Sequence, residues 1–232
     1  NDRRVMEAFI RYGKKMIDCY GDRVKYWLTF NEQNIFHMPE AFRISGYMKG
    51  EQTLRELYEL QHHAMVAHMT LTEYLHQTKP GKLMGGMLAH QLIYPATCKP
   101  RDIFCAQQYD EFLNQNLLRV FAGQGYSPAV MAVVEQEGFG DIYRADDLAL
   151  FARTKNDFLA FSYYASKTLD SDAIPEGTPV NHYLLHGEKN NPYLKATEWN
   201  WQIDPLGFRT IITRYANDWR MPVFPIENGI GV

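Results

Sequence analysis

The chain has 232 residues, of which 46% are hydrophobic and 14% aromatic, so it can bury a sizeable core and is far from the composition of disordered proteins. Its 24 Lys and Arg residues nearly balance its 27 Asp and Glu residues, which gives a formal net charge of −3. The chain therefore lacks the excess of positive charge that is typical of proteins that bind nucleic acid or an anionic membrane surface. This balance favours neutral small molecules such as sugars as partners.

The N-terminal part of the sequence predicts a helix followed by a strand. Residues 3–20 place Val5, Phe9, Met16 and Ile17 at spacings typical of an amphipathic helix, which Gly21 ends. Residues 24–30, with the sequence VKYWLTF, are rich in β-branched and aromatic residues and predict a short buried strand.

The middle of the chain alternates helical and strand patterns. A capping box at Thr53 and Glu56 opens a periodic segment without Gly or Pro, which predicts a helix to about residue 77. The later predicted elements are a strand at 83–88, a helix at 101–121, shorter helices beginning at 128 and 146, and a strand at 158–164.

The C-terminal third begins with a polar stretch. Residues 168–200 contain several Gly, Pro and Asn and no clear period, so we interpret them as one long loop over a functional site. A helix from Pro205 to about Trp219 and a strand at 223–226 follow. Repeated strand-then-helix units predict a parallel sheet.

Two apolar strand-like runs each end in a glutamate, Glu32 in the segment TFNE (29–32) and Glu227 in the segment PIENG (225–229). Taken singly, the first is better explained by a polar loop before a helix, and the Asn-Gly of the second by a hairpin turn. Together they place two carboxylates at the carboxyl ends of distant strands. Such an arrangement is typical of βα barrels, and two facing carboxylates are what hydrolysis of a glycosidic bond requires.

The predicted architecture is part of a (β/α)8 TIM barrel. Four strands are recognisable, whereas a complete barrel needs eight strands and typically about 250 residues. We therefore expect residues 1–232 to form a single partial barrel domain that supplies roughly strands four to seven.

These motifs resemble those of glycoside hydrolase family 1, whose acid/base motif is T-[FL]-N-E-P and whose nucleophile motif is [IV]-T-E-N-G. The resemblance continues through residues 158–164 (FLAFSYY) and through residues 191–205 (NPYLKATEWNWQIDP). Two departures are visible: Gln33 stands where the family has proline, and Pro225 and Ile226 stand where it has Ile/Val-Thr.

The resemblance implies a role for each matching residue. It makes Glu32 the general acid/base, Glu227 the nucleophile, and Asn31 a ligand of the sugar 2-hydroxyl. It also matches Tyr164 to the tyrosine that hydrogen-bonds the nucleophile, although a tyrosine that only anchors a strand end is the alternative. Trp201 is a candidate for stacking on the sugar or aglycone, with core or lid packing as the alternative.

Ser162 and the 191–205 run look most like the branch that hydrolyses 6-phospho-β-glucosides. The implied chemistry is double displacement with water as second substrate and no cofactor, which needs one protonated and one ionised carboxyl about 5 Å apart. The alternatives in the same family are a β-glucosidase and a 6-phospho-β-galactosidase. The phosphate loop that separates them follows the last strand of the family barrel, after the segment that this chain matches.

A non-catalytic barrel fragment, which only binds or assembles, is the alternative from a different class. Four parallel strands leave two open edges, so we expect association of the isolated chain through them and little or no activity. Cys19, Cys98 and Cys105 contain no CxxC pair, which indicates packed thiols in a reducing compartment. Without a signal segment or an apolar stretch of about 18 residues, we expect a cytoplasmic location.

The sequence predicts no metal-binding or phosphate-binding role for two further groups of residues. His62, His63 and His68 lack the i, i+4 spacing of helical metal ligands, so no metal site is predicted. Gly81, Gly85 and Gly86 match no phosphate-binding loop, and we expect them to allow close packing around a strand.

Overall fold

The computed structural model describes residues 2–39, 46 and 52–231. The α-helices in these ranges are α1 (Arg3–Tyr20), α2 (Leu54–Thr78), α3 (Pro100–Asp110), α4 (Asn116–Phe121), α5 (Pro128–Gln136), α6 (Ala145–Arg153), α7 (Tyr183–Gly187) and α8 (Pro205–Arg214). The strands are β1 (Tyr26–Trp27), β2 (Leu83–Ala89), β3 (Ile93–Pro95), β4 (Phe158–Tyr163), β5 (Lys167–Leu169), β6 (Glu188–Lys189) and β7 (Val223–Asn228). None of these helices is long and apolar enough to cross a bilayer.

The main sheet contains four parallel strands in the order β1-β2-β4-β7. All six residues of β4 are buried: Leu159 and Phe161 pack with helix residues on one face, and Phe158 and Ala160 pack with Met87 on the other. Along β7, in contrast, half-buried and exposed residues alternate, as on an edge strand with one open face. Because the strands are parallel, their carboxyl ends meet at one edge of the sheet, and this edge carries the site described below.

The largest apolar cluster lies between the main sheet and the helices on its outer side. It joins Leu88 and Phe161 of the sheet to Met65 of α2, Phe121 of α4 and Ile211 of α8. Each of these five side chains is fully buried. This cluster fixes the helices to the sheet and so sets the positions of the strand ends.

Most predicted elements are confirmed, with small changes of boundary. The Thr53 capping box opens α2, with Glu56 bonded back to the Thr53 N–H. The predicted strand at 24–30 is paired only over Tyr26 and Trp27, because the chain leaves the sheet at residue 28. The predicted helix at 101–121 contains a π-helical turn, Glu111–Gln115, between α3 and α4.

The predicted apolar face of α1 was wrong at Val5, which is 68% exposed. The buried residues of this helix are Met6, Gly13 and Ile17, so the contact face is rotated by one residue. Gly13 sets this rotation, because a Cβ atom there would lie 2.4 Å from Leu71 Cδ1 on α2.

The prediction of one long irregular loop over residues 168–200 was also wrong. This segment contributes β5, α7 and β6, and a second sheet forms in the order β3-β5-β6. Its strands are two or three residues long, too short to show a period in the sequence. β5 pairs with β3, far away in the chain, and β6 pairs with β5.

The glycines around β2 have two different roles. A Cβ atom on Gly85 would lie 2.2 Å from the ring of Phe158, and one on Gly86 would lie 2.3 Å from the ring of Phe121, which confirms close packing. For Gly81 the packing prediction was wrong. No atom lies within 4 Å of its ideal Cβ position, and its φ of +83° is the feature that favours glycine.

We predict that Gly86→Ala lowers the free energy of unfolding by about 1–3 kcal/mol, because the buried Phe121 ring must move to admit the methyl group. Chemical denaturation monitored by circular dichroism measures this change. Gly140→Ala is the matched control, since nothing lies within 4 Å of its Cβ position. Equal stability of the two variants would contradict the packing role of Gly86.

Candidate active site

Glu32 lies just after β1, in a segment attached to the end of β2. The side-chain amide of Asn34 donates to the Ala89 carbonyl at 2.9 Å, and its oxygen accepts from the Ala89 N–H at 2.8 Å. Glu32 has a φ of 44° and a ψ of 46°, in the left-handed region that residues other than glycine rarely adopt. Its N–H donates to Met87 Sδ at 2.9 Å. These contacts hold a strained backbone conformation at the end of the sheet, which is a frequent feature of functional sites.

Ser162 of β4 holds the side chain of Glu32. Its hydroxyl donates a hydrogen bond to Glu32 Oε1, across 130 residues of sequence. Ser162 is itself 1% exposed, whereas Glu32 is half-buried. A hydrogen bond from a buried hydroxyl restricts the orientation of the Glu32 carboxyl.

Tyr164, two residues further along, holds the other carboxylate. Its hydroxyl donates to Glu227 Oε2 at 2.7 Å. This hydrogen bond, together with burial and the charges of Glu227 and Glu32, raises the pKa of Tyr164 to about 12. The phenol therefore stays protonated at neutral pH and remains a donor to Glu227.

The end of β4 thus contacts both glutamates. Ser162 lies opposite Glu227 in the pairing of β4 with β7, after a register shift between Phe161 and Ser162. Beside Glu227, the amide of Asn228 donates to the Tyr163 carbonyl at 2.6 Å and fastens the end of β7 to β4. Because residues two apart in a strand share a face, Ser162 and Tyr164 direct their hydroxyls to the same side of the sheet.

The other predicted site residues have different surroundings. The Trp201 ring is half-buried, with its centroid 5.1 Å from that of Tyr164 and 5.3 Å from that of Trp199. Asn31 is exposed beside Glu32, and Trp199 is mostly exposed. The structure therefore brings Trp201 into the group formed by Tyr164 and the two glutamates.

A cavity of about 270 Å³ lies at the carboxyl ends of the strands. Its polar and aromatic lining includes Glu32, His90, Gln91, Ser162, Tyr164 and Trp201. Sequence reasoning missed His90 and Gln91 and treated Ser162 only as a mark of a family branch. The available signal was position: His90 and Gln91 directly follow β2, at the edge where barrel enzymes carry their functional side chains.

A larger groove of about 710 Å³ lies at the opposite end of the sheet, where Asp157 precedes β4 and Pro222 precedes β7. Two pairs of its polar side chains contact each other: Arg153 with Glu73, and His76 with Asp157. Chemistry in barrels occurs at the carboxyl ends of the strands, so the smaller cavity is the candidate active site.

The helical histidines make structural contacts. His62 is bonded to Tyr126 and Asp147, and His68 to Thr29 and Asn156. Over residues 2–39, 46 and 52–231, His, Cys, Asp and Glu side chains form no cluster of three or more that could hold a metal ion.

The model of glycosyl hydrolase family 1 matches residues 1–232, and the chain belongs to this family. It is 33% identical to the 6-phospho-beta-glucosidase AscB of Escherichia coli, over 99% of this chain and 48% of the relative. It is 34% identical to the aryl-phospho-beta-D-glucosidase BglH of Bacillus subtilis and 34% identical to a phospho-cellobiase of Klebsiella oxytoca, over 99% of this chain and 49% and 48% of those proteins. The chain spans about half the length of these relatives.

Solved structures agree on the fold. The chain superposes on the beta-glucosidase BglU of Micrococcus antarcticus with a TM-score of 0.82 at 22% identity, over 98% of this chain and 51% of that one. For the family 1 b-glucosidase of Thermotoga maritima the TM-score is 0.79 at 21% identity, over 99% and 49%. The curled four-stranded sheet is therefore half of a (β/α)8 barrel, which confirms the predicted fold class.

We predict that Glu227→Gln lowers the pKa of Tyr164 from about 12 towards its ordinary value of 10, because the variant removes the charge that the hydroxyl faces. At a pH between these two pKa values, Tyr164 should be largely protonated in the unchanged chain and largely ionised in the variant. Carbon-13 NMR of the labelled tyrosine ring, assigned with Tyr164→Phe, measures the ionisation. The exposed Glu176, changed to Gln, is the control, and an equal shift in both variants would refute the Tyr164–Glu227 contact.

Proposed function

We propose that the whole protein to which this chain contributes is a retaining glycoside hydrolase that cleaves 6-phospho-β-D-glucosides. The observation that carries the proposal is the arrangement at the end of β4, where neighbouring hydroxyls bind two separate glutamates. In a family of glycosidases, two carboxylates held at the carboxyl ends of barrel strands are suited to acid/base and nucleophilic roles.

In the first proposed step, a Glu227 carboxylate oxygen attacks the anomeric carbon while Glu32 gives its proton to the leaving oxygen. The glycosidic bond breaks, the leaving group departs as a neutral alcohol, and a glycosyl ester of Glu227 forms. The Tyr164 hydroxyl holds Glu227 in position for the attack. The exposed amide of Asn31 is assigned to the sugar 2-hydroxyl, by resemblance to the family.

In the second step, Glu32 acts as a base. It accepts a proton from water, whose oxygen attacks the anomeric carbon and releases Glu227. The product retains the β configuration because two displacements occur at the same carbon. Ser162, which donates to Glu32 Oε1, is placed to stabilise the ionised form that this step needs.

The 6-phosphate is supported by the names of the relatives, which include two phospho-beta-glucosidases and a phospho-cellobiase. A β-glucosidase and a 6-phospho-β-galactosidase of the same family are the competing assignments. The proposal also includes a cytoplasmic location, which is consistent with the three free cysteines.

We predict that the whole protein hydrolyses p-nitrophenyl β-glucoside 6-phosphate in preference to the unphosphorylated glucoside. Glu227→Gln should abolish turnover, because an amide cannot form the glycosyl ester. Glu32→Gln should reduce kcat by about 10²–10⁴-fold for a poor leaving group such as phenol, and less for p-nitrophenol, which departs with little protonation. Release of the phenols measures each rate. Equal rates for Glu227→Gln and the unchanged protein would exclude the proposed mechanism, and preference for the unphosphorylated substrate would favour a β-glucosidase.

We further propose that residues 1–232 form a single partial barrel domain that is inactive or nearly so by itself and associates with a second copy. The outer strands β1 and β7 each have an unpaired edge within the described part of the chain. Tyr26 and Phe224, on these two strands, are 52% and 47% exposed, although their ring centroids lie 6.4 Å apart. Exposed aromatic side chains beside open edges favour pairing with another chain.

Phe224→Asp should shift the isolated chain towards the monomer in sedimentation velocity, because a charge on the open face of β7 opposes apolar contact. Tyr193→Asp is the matched control, since Tyr193 is 93% exposed in a loop outside the sheet. Circular dichroism verifies that both variants remain folded. A chain that is already a monodisperse monomer with ordinary glycosidase turnover would contradict both parts of this proposal.

A further inference from the structure

Tyr163 and Ser166, on either side of Tyr164 in the chain, are both attached to Asp204. The Ser166 hydroxyl donates to Asp204 Oδ2 at 2.6 Å. The Tyr163 hydroxyl donates to the Asp204 carbonyl oxygen at 3.1 Å and lies 2.8 Å from Ser166 Oγ. Each of these three residues is at most 5% exposed, so bulk water has little access to the contacts. The backbone around Tyr164 is therefore fixed to a single point at the start of α8.

Asp204 is itself held by contacts with two other elements. Its Oδ1 accepts from the Gly207 N–H at 2.8 Å, which caps the start of α8. Its Oδ2 accepts a second hydrogen bond from the Tyr94 hydroxyl of β3 at 2.9 Å. Burial, together with that hydrogen bond, raises the pKa of Tyr94 to about 12, so the hydroxyl remains a donor at neutral pH. Asp204 thus joins α8, β3 and the segment after β4 through one buried side chain.

The start of α8 leaves room for these contacts because residue 207 is glycine. A Cβ atom at this position would lie 2.3 Å from Asp204 Oδ2, 2.4 Å from the Tyr163 hydroxyl oxygen and 2.7 Å from Ser166 Oγ. A single methyl group would therefore overlap all three polar groups at once. Gly207 is not among the glycines with a positive φ, so space and not backbone conformation favours glycine here.

The same end of β4 is attached to the end of β7. The Tyr163 carbonyl accepts from the side-chain amide of Asn228 at 2.6 Å, and the Tyr164 hydroxyl donates to Glu227 Oε2 at 2.7 Å. Tyr163 is therefore engaged at both ends, its hydroxyl at Asp204 and its carbonyl beside Glu227. A side-chain donor holds a reacting carboxylate accurately only if its own position is fixed by further contacts.

We propose that Asp204 and Tyr163 are positioning residues of the active site, which hold the Tyr164 hydroxyl against Glu227 and so keep this carboxylate oriented for attack. In the proposed function, on which this inference rests, Glu227 is the nucleophile. The effect of Asp204 and Tyr163 on catalysis passes through Tyr164. Removal of the contact between them should therefore weaken the Tyr164–Glu227 hydrogen bond while both partners of that bond remain unchanged.

The direct test is the ionisation of Tyr164 in the 232-residue chain, followed by carbon-13 NMR of the labelled tyrosine ring. Tyr163→Phe keeps the ring, which stacks on Phe208 with centroids 5.6 Å apart, and removes only the hydroxyl. The contact with Glu227 is the largest cause that raises the pKa of Tyr164 to about 12. The acid dissociation constant of Tyr164 should therefore increase about three- to tenfold in the variant. An unchanged constant would overturn the proposal.

Tyr126→Phe is the matched control. Tyr126 packs against the same apolar cluster as Tyr163, and its hydroxyl is bonded to His62 Nδ1 at 3.1 Å, outside the contacts of Asp204. This variant also loses one hydrogen-bonded tyrosine hydroxyl, but it should leave the ionisation of Tyr164 unchanged. An equal change in both variants would indicate a general loosening of the core and would overturn the proposal. Circular dichroism verifies that the variants remain folded across the titration.

A double-variant cycle tests whether the effect passes through Glu227. In Glu227→Gln the charged partner of Tyr164 is already absent, so the addition of Tyr163→Phe should change the dissociation constant of Tyr164 less than about twofold. Asp204→Asn, which keeps the side-chain shape but leaves one acceptor oxygen, should follow the same pattern and provides a second variant. An effect of equal size with and without the Glu227 carboxylate would overturn the proposal.

The kinetic test uses the whole protein and p-nitrophenyl β-glucoside 6-phosphate. In Tyr163→Phe, kcat should fall about tenfold while KM changes less than about twofold, because misplacement of a reacting group affects the chemical step more than substrate binding. Tyr126→Phe should retain both constants. A raised KM with unchanged kcat would overturn the proposal. Absence of turnover by the unchanged whole protein would refute the proposed function, and the Tyr164 titrations would still decide whether Asp204 and Tyr163 hold this residue against Glu227.

Discussion

The parallel pairing of β4 with its two neighbours is the constraint on which the site depends. β4 is buried along its whole length, so its register against β2 and β7 is fixed by packing on both faces. A shift in that register between Phe161 and Ser162 sets Ser162 opposite Glu227. If β4 moved by one residue, the hydroxyls of Ser162 and Tyr164 would point to the other face of the sheet, and both carboxylates would lose their donors.

The apolar core and the polar site stabilise different parts of the same strands. Below the site, Leu88 and Phe161 pack against helices and hold the strands by burial alone. At the strand ends, hydrogen bonds replace packing: Asn34 to Ala89, Ser162 to Glu32 and Tyr164 to Glu227. The left-handed conformation of Glu32 is unfavourable by itself, and the surrounding bonds offset its cost. A rigid core thus supports a strained and polar edge.

The described segment forms an open part of a barrel. A closed barrel has no sheet edges, whereas the described chain leaves β1 and β7 without outer neighbours. The alternating exposure along β7 and the exposed rings of Tyr26 and Phe224 follow directly from this incomplete closure. Both glutamates nevertheless have hydrogen-bond partners within the segment, so these two contacts do not depend on closure of the barrel.

The sequence by itself determined the elements with strong local signals. The capping box at Thr53, the buried strand at 158–163 and the glutamates at strand ends were all recognisable, because periodicity, capping and motif spacing are properties of neighbouring residues. The short strands β5 and β6 were missed, since β5 is a strand only through its pairing with β3, and β6 only through its pairing with β5. The contact of Ser162 with Glu32, and the positions of His90 and Gln91 in the cavity wall, were missed for the same reason. Whether a serine reaches a carboxylate 130 residues away, or a histidine lines a cavity, depends on every neighbour in space, and only the tertiary structure decided it.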